Sequence, residues 1–167
     1  MENTKAVCDP ILIEPATAAD AEAISRVIGR TLRETNARDY PPKVIETLVE
    51  VFSPERIAAY IADRDVYVAS VGGRIVGTAS LQGSVVRALF VDPGHQKHGV
   101  GAKLMDTVER LGLARSNAVV TVNSSLTALG FYQKRGYVAL GERLHGDGDR
   151  TIVMEKRFAA PDRAAGS

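Results

Sequence analysis

Tryptophan is absent from this 167-residue chain, and cysteine occurs once, at Cys8. One thiol can form neither a disulfide within the chain nor a cysteine metal cluster. A disulfide scaffold and a zinc ribbon are therefore excluded, and a reducing cytoplasm is the expected setting. No apolar run approaches the roughly 18 residues that cross a bilayer. The opening MENTKAVCDP has no basic stretch followed by an apolar one, so no signal peptide is expected. No sign of charge dominates: 21 Lys and Arg stand against 20 Asp and Glu. A net charge of +1 argues against nucleic-acid and membrane partners. Repeats and low-complexity linkers are also missing. What is present is 45% hydrophobic and 25% charged residues, an ordinary globular balance. The length suits one domain, 1–167, with a core over about residues 11–158 and frayed ends at 1–9 and 159–167.

The hydrophobic period then orders the chain. ILIE (11–14) reads as a strand stopped by Pro15, and Thr17 with Asp20 as the start of a helix. Ala21, Ile24, Val27, Ile28 and Leu32 recur at helical spacing. NARDYPP (36–42) breaks that helix. Val44, Ile45, Leu48, Val51 and Phe52 form a second helical stripe, which Ser53-Pro54 restarts. VYVAS, RIVGTASL and SVVRALFV are β-branched and aromatic, separated by Gly72-Gly73 and Gly83, and read as an antiparallel meander. A further helix carries Leu104, Val108 and Leu111. AVVTV (118–122) is a short buried strand, and Ser125 caps a helix running to Arg135 and ended by Gly136. YVAL and TIVMEKRF close the chain. The expected fold class is mixed α/β, a mostly antiparallel sheet of about seven strands with four helices.

One junction stands out. LFVDPGHQKHGVG leaves an apolar strand at Asp92-Pro93-Gly94, passes His95, Lys97 and His98, and sets Gly99 and Gly101 at a helix start. A tight turn alone would explain the glycines. It is not a Walker loop, since no Gly-Lys-Ser/Thr is present, and Leu104 stands where a third Rossmann glycine would be. The alternative is an anion cradle. The first N–H groups of a helix have no intrahelical acceptor, and side-chain-free residues let a pyrophosphate approach them.

Gln96-Lys97-His98-Gly99-Val100-Gly101, preceded by LFVDP, resembles the acetyl-CoA signature of the GNAT N-acetyltransferases, and SSLTALGFYQKRGYV (124–138) resembles the second CoA motif of that superfamily. The resemblance runs in element order from Ile11 to Phe158. It implies a GNAT-type sheet and acetyl-CoA as co-substrate. Leu89, Phe90 and Val91 would bind the pantetheine as a strand. The N–H groups of Lys97, His98, Gly99, Val100, Gly101 and Ala102 would take the pyrophosphate, with Gln96 also among the CoA-binding residues. Tyr132 falls where relatives place the acid that protonates the departing thiolate. Ser125 stands where an Asn often contacts CoA, and acts as helix cap, as contact, or as both.

Acetyl transfer also needs a neutral amine, a donor to the developing oxyanion and a base. The backbone N–H of Val91 is the expected donor. The strand before the glycine turn carries no acid; its charged residue is Arg87, which faces either the acceptor, where it would bind a carboxylate or phosphate, or solvent. Glu34, Arg38, Asp39 and Tyr40 are the other acceptor-side candidates, on the segment between the first two helices; Asp39 as a turn cap and Tyr40 as core are the alternatives. His145 lies at a hairpin tip. His95 and His98 lack metal-ligand spacing, so no metal is expected. The implied acceptor is the primary amine of a small molecule or peptide, and a homodimer is a further expectation from the resemblance. The competing functional readings are a non-catalytic acetyl-CoA-binding module and an α/β domain without a CoA site.

Overall fold

A computed structural model describes residues 9–146 and 148–159. The ends expected to fray lie outside this range, apart from Asp9 and Ala159. Seven strands form one sheet in the order β1-β2-β3-β4-β5-β7-β6. β1 (Leu12–Pro15) is an edge strand that includes Pro15, where a missing N–H costs no ladder bond. Asp20 accepts the Thr17 backbone N–H at 2.8 Å and opens α1 (Ala21–Glu34), whose Ile24, Ile28 and Leu32 are fully buried. A single 3-10 turn, Asn36–Arg38, separates α1 from α2 (Pro42–Val51). The second helical stripe is two helices, because Phe52 ends α2 and Ser53 accepts the Arg56 N–H to start α3 (Pro54–Asp63). This raises the helix count among the described residues to five.

β2 (Asp65–Val71), β3 (Arg74–Gln82) and β4 (Val85–Val91) form the expected meander. After the glycine junction come α4 (Val100–Ala114), β5 (Val119–Ser125), α5 (Leu129–Lys134), β6 (Val138–Leu144) and β7 (Arg150–Arg157). β5 continues three residues past the apolar run AVVTV because Asn123–Ser125 pair with Val153–Thr151 of β7. Every pairing is antiparallel except β4 with β5. The period-2 alternation of the strands gives the sheet a core on each face. On one face Leu104, Met105 and Val108 of α4 pack on Val120, Val122 and Met154. On the other, α1, α2 and α3 bury Ile24, Val44 and Ile57 against Val66 and Val68.

A buried charge braces α4 to the chain beyond α5. Glu109 accepts from Tyr137 Oη at 2.9 Å and Arg135 Nη2 at 3.0 Å, with Lys156 Nζ at 3.7 Å. Removing one member of a buried ion pair strands the other and typically costs about 3–5 kcal/mol. Glu109→Leu is therefore expected to lower the melting temperature by roughly 6–20 °C, read by thermal denaturation at neutral pH. A shift within a degree or two would show that Asp106 and water satisfy Arg135 and Lys156 without it.

Candidate active site

The site begins where β4 leaves β5. The two strands are in register only at Val85–Thr121 and Val86–Val122. Past that point β4 bulges: Ala88 takes φ +53° and the register with β3 shifts between Thr78 and Ser80. A bulge bends its strand and re-aims the residues beyond it. The split opens a cleft of about 780 Å³ between β4, α1, α2, the start of α4, and the β5–α5 and β6–β7 connections.

Backbone groups line this split. Asp92 N–H donates to Val76 O at 2.8 Å, so Gly77–Val91, one step earlier, is a non-hydrogen-bonded pair. The N–H and C=O of Val91 therefore point away from β3, toward the split. The carbonyl is occupied: Thr31 Oγ1 and Gln96 Nε2 each donate to it at 3.0 Å. Gln96 also donates to Thr35 Oγ1 at 3.2 Å, so its amide ties the turn to β4 and α1. Leu89, Phe90 and Val91 all line the cleft.

The glycine turn forms the next wall. Asp92, nearly buried, accepts from Gly94 N–H (3.1 Å) and Arg30 Nη1 (2.9 Å) and contacts His95 Nδ1 (3.1 Å), which anchors the turn to α1. Gly99 holds φ +86°, with open space where a Cβ would lie. The first i→i−4 bond of α4 is Lys103 N–H to Gly99 O at 3.1 Å. The N–H groups of Val100, Gly101 and Ala102 thus precede the ladder, as a helix start requires. Lys97, Gly99, Gly101 and Ala102 line the cleft. Val100 does not, because its side chain packs in the core over Gly77, and His98 is exposed outside the lining.

Tyr132 enters from α5. Its residue is 5% exposed, its ring stands edge-on to Phe131 at 5.3 Å and Tyr137 at 5.5 Å, and it lines the cleft. Among the described residues its hydroxyl has no hydrogen-bond partner. Burial raises its pKa well above that of an ordinary phenol, with Arg135 opposing, so it is protonated through the neutral range. Tyr137 is raised too, by burial first and then by the charge of Glu109. Both folded values exceed the unfolded value near 10. The stability they contribute is complete below about pH 10 and is lost as pH climbs toward the folded values. Denaturation midpoints should therefore hold level from pH 7 to about 9 and fall above 10, with Tyr137→Phe flattening the fall. An equally steep fall in that variant would assign it to other groups. Ser125 Oγ accepts the Ala128 N–H at 3.1 Å and also lines the cleft, so it caps the turn into α5 while facing the split.

The opposite wall differs from the sequence expectation. Tyr40 lines the cleft but is also a tie: its hydroxyl donates to Arg150 O at 2.7 Å and accepts from Leu126 N–H at 2.9 Å. Tyr40→Phe leaves both backbone groups unpaired and is expected to cost about 1–3 kcal/mol of stability in denaturant titration. No measurable loss would mean that water replaces the hydroxyl. Glu34, Arg38 and Asp39 are outside the lining. Glu34 pairs with Arg30 at 3.1 Å, Asp39 accepts from Thr127 Oγ1 at 2.7 Å, and all three are exposed. Arg87 borders the cleft, although much of its side chain is exposed. His145 lines it with Nε2 3.1 Å from Thr151 Oγ1. Sequence reasoning left out Phe52, Tyr60, Arg64 and Asn123, which also line it. The first three read as an ordinary apolar stripe and a helix-end cation, and no local pattern marks them. Among the described residues no cluster of His, Cys, Asp and Glu could hold a metal.

A split strand pair, a glycine turn at a helix start and a buried phenol line one cleft in a mixed α/β fold. Residues 36–158 match the family model described as an acetyltransferase (GNAT) domain, and the chain belongs to that family of N-acetyltransferases. It is 26% identical over 118 residues to YafP, an uncharacterised N-acetyltransferase of Escherichia coli K12, covering 71% of this chain and 75% of that one. A GCN5-related N-acetyltransferase from Rhodopseudomonas palustris superposes with a TM-score of 0.86 at 27% identity, over 91% of this chain and 98% of that one. The same fold recurs in the PaiA N-acetyltransferase of Thermoplasma acidophilum in complex with coenzyme A. That comparison gives a TM-score of 0.74 at 20% identity, over 89% of this chain and 99% of that one.

Proposed function

We propose that this chain is an acetyl-CoA-dependent N-acetyltransferase of the cytoplasm that moves the acetyl group directly to the primary amine of a small molecule or peptide. One acetyltransferase domain spans about residues 11–158. The observation that carries the reading is the meeting, in one cleft, of the β4–β5 split, the N-terminus of α4 and Tyr132. A CoA complex exists in the same fold in the Thermoplasma protein.

The residues present fit this co-substrate. Open space at Gly99 leaves room for a pyrophosphate beside N–H groups that no helix acceptor takes. A Cβ at Gly101 would touch the Phe131 ring at 3.4 Å, ordinary contact, so a side chain longer than a methyl there would have to extend along the cleft wall. Gln96 and the Val100 side chain act indirectly, by holding the turn in place. When bound, acetyl-CoA supplies an activated acetyl thioester. The Val91 N–H, turned away from β3, would hold negative charge at the acyl oxygen. Tyr132 donates a proton to the sulfur. One C–N bond forms, the C–S bond breaks, one proton leaves the amine nitrogen and one ends on sulfur. The amine proton leaves to a base or to water; His145 borders the acceptor wall, its Nε2 3.1 Å from Thr151 Oγ1. Ser125 and Lys97 complete the co-substrate side.

The missing acid on β4 favours a second reading, an acetyl-CoA-binding module without transferase activity. A screen of amines for release of the CoA thiol separates the two. The enzyme reading expects amine-dependent release above hydrolysis. Tight acetyl-CoA binding with no release across amino acids, peptides and polyamines would favour the module. A homodimer, where it forms, would be expected to cover edge strand β6, where Val138, Leu140 and Leu144 are exposed.

A further inference from the structure

The acceptor wall holds two cations without an ion-pair partner among the described residues. Several arginines elsewhere in the chain sit directly against carboxylates, as Arg30, Arg115 and Arg135 do. Arg64 and Arg87 form no such pair among the described residues. Arg64 comes directly after α3, and its guanidinium lies over the Tyr60 ring at 4.1 Å. Its Nε is buried without a hydrogen-bond partner among the described residues. Leaving such a donor dry is costly unless something else satisfies it. Arg87 donates through Nε to Gln82 Oε1 at 2.9 Å, and Gln82 in turn donates to Asp63 at 3.1 Å. That relay fixes the stem of Arg87 through Nε and leaves its two terminal nitrogens to reach a ligand. The two guanidinium groups repel each other: burial first, then the charge of Arg87, lowers the pKa of Arg64. Both border the same cleft as Tyr132.

The surroundings add shape. Phe52 packs edge-on against Phe90 at 5.4 Å and Tyr60 at 6.4 Å, and Tyr60 Oη donates to Val51 O at 3.3 Å. All three rings are partly exposed and line the cleft beside the arginines. An oriented pair of cations beside an aromatic wall is poorly suited to a bare alkylammonium, which it would repel. A planar guanidinium fork matches an oxyanion.

We infer that the acceptor amine carries a compact oxyanion, a carboxylate or phosphoryl group, on an apolar body, and that Arg64 and Arg87 hold that oxyanion against the Phe52–Tyr60–Phe90 wall. This rests on the transferase reading and specifies its acceptor. The arginines also set polarity. Arg87 precedes Val91 by four residues on β4, on the far side of the bulge at Ala88, so the oxyanion is held toward one end of the cleft and the amine is directed to the other.

Matched acceptor pairs test this at saturating acetyl-CoA: phenylalanine with phenylalaninamide, 6-aminohexanoate with 6-aminohexanamide, and phosphoethanolamine with ethanolamine. The first two pairs report carboxylate recognition at two spacings and the third reports phosphate. In at least one pair the charged member should have a kcat/KM about 10-fold or more above the neutral one. Arg64→Met and Arg87→Gln should each bring that ratio toward one, a loss of roughly 10- to 100-fold for a charged hydrogen bond. Preference for the neutral member in every pair, or a ratio that survives both substitutions, overturns the inference. Calorimetric titration of acetyl-CoA is run on the same samples. A wild-type chain that fails to bind acetyl-CoA contradicts the transferase reading. The oxyanion inference is then decided by direct binding of charged against neutral members, and absence of a preference overturns it.

Discussion

Gly101→Glu is expected to reduce acetyl-CoA affinity on the order of 10²–10³-fold while the chain stays folded. The loss has two causes. A Cβ at Gly101 would already meet the Phe131 ring at 3.4 Å, so the longer side chain must project along the cleft wall. Its carboxylate would then stand where the pyrophosphate needs positive potential, and a like charge about 4 Å away costs several kcal/mol at an effective dielectric near 20. The fold should tolerate the change because an acidic residue in the first turn of α4 complements the helix dipole by about 0.3–1 kcal/mol. Gly99→Val should also weaken binding, but less cleanly. Gly99 holds φ +86°, and a β-branched residue there adds backbone strain of about 1–3 kcal/mol. Calorimetric titration with acetyl-CoA reads both variants, and circular dichroism reads the fold. A folded Gly101→Glu chain with unchanged affinity would remove the α4 N-terminus from the site.

Tyr132→Phe should lower kcat by about 10²–10⁴-fold and leave acetyl-CoA affinity nearly unchanged. The ring itself sits in the core between Phe131 and Tyr137, so phenylalanine preserves the packing. The hydroxyl alone is removed. Because it has no hydrogen-bond partner among the described residues, its loss strands no other group, and stability should be little affected. This separates a chemical role from a structural one, since a tyrosine needed only for packing would be replaced without loss. Full activity in a folded Tyr132→Phe chain would assign the proton on sulfur to another donor.

The sequence carried the sheet well because period is a local property. The meander, the buried strand β5 and the glycine-flanked helices can be read from alternation and turn residues a few positions apart. Two boundaries escaped. Pro15 stays in β1 because that strand is an edge, a fact of sheet order. β5 runs on to Ser125 because β7 supplies partners for Asn123, Ser124 and Ser125. On the co-substrate side, the motif put Lys97, Gly99, Gly101 and Ala102 near Leu89–Val91 and Tyr132, and all of these line one cleft. It did not show that the Gln96 amide is occupied by Val91 O and Thr35, since both contacts depend on how the turn folds back on β4 and α1.

The acceptor side was far less legible. The loop candidates Glu34, Arg38 and Asp39 were chosen by position between helices, yet their side chains turn outward to Arg30, solvent and Thr127. Arg64 looked like any cation at a helix end. Its place beside Arg87 depends on β2 returning across β3 to the bulged β4, and tertiary pairing of that kind leaves no short-range signal. The bulge at Ala88 is similarly silent, because alanine is not a residue that announces a positive φ.

A structure of this chain with CoA bound would test the account most directly, through the path of the pantetheine arm. The account predicts the arm in the β4–β5 split beside Leu89–Val91. It predicts the pyrophosphate on the N–H groups of Val100–Ala102, and the sulfur within about 3.5 Å of Tyr132 Oη. CoA lying outside the split, or sulfur beyond the reach of Tyr132 with the pyrophosphate away from α4, would contradict it.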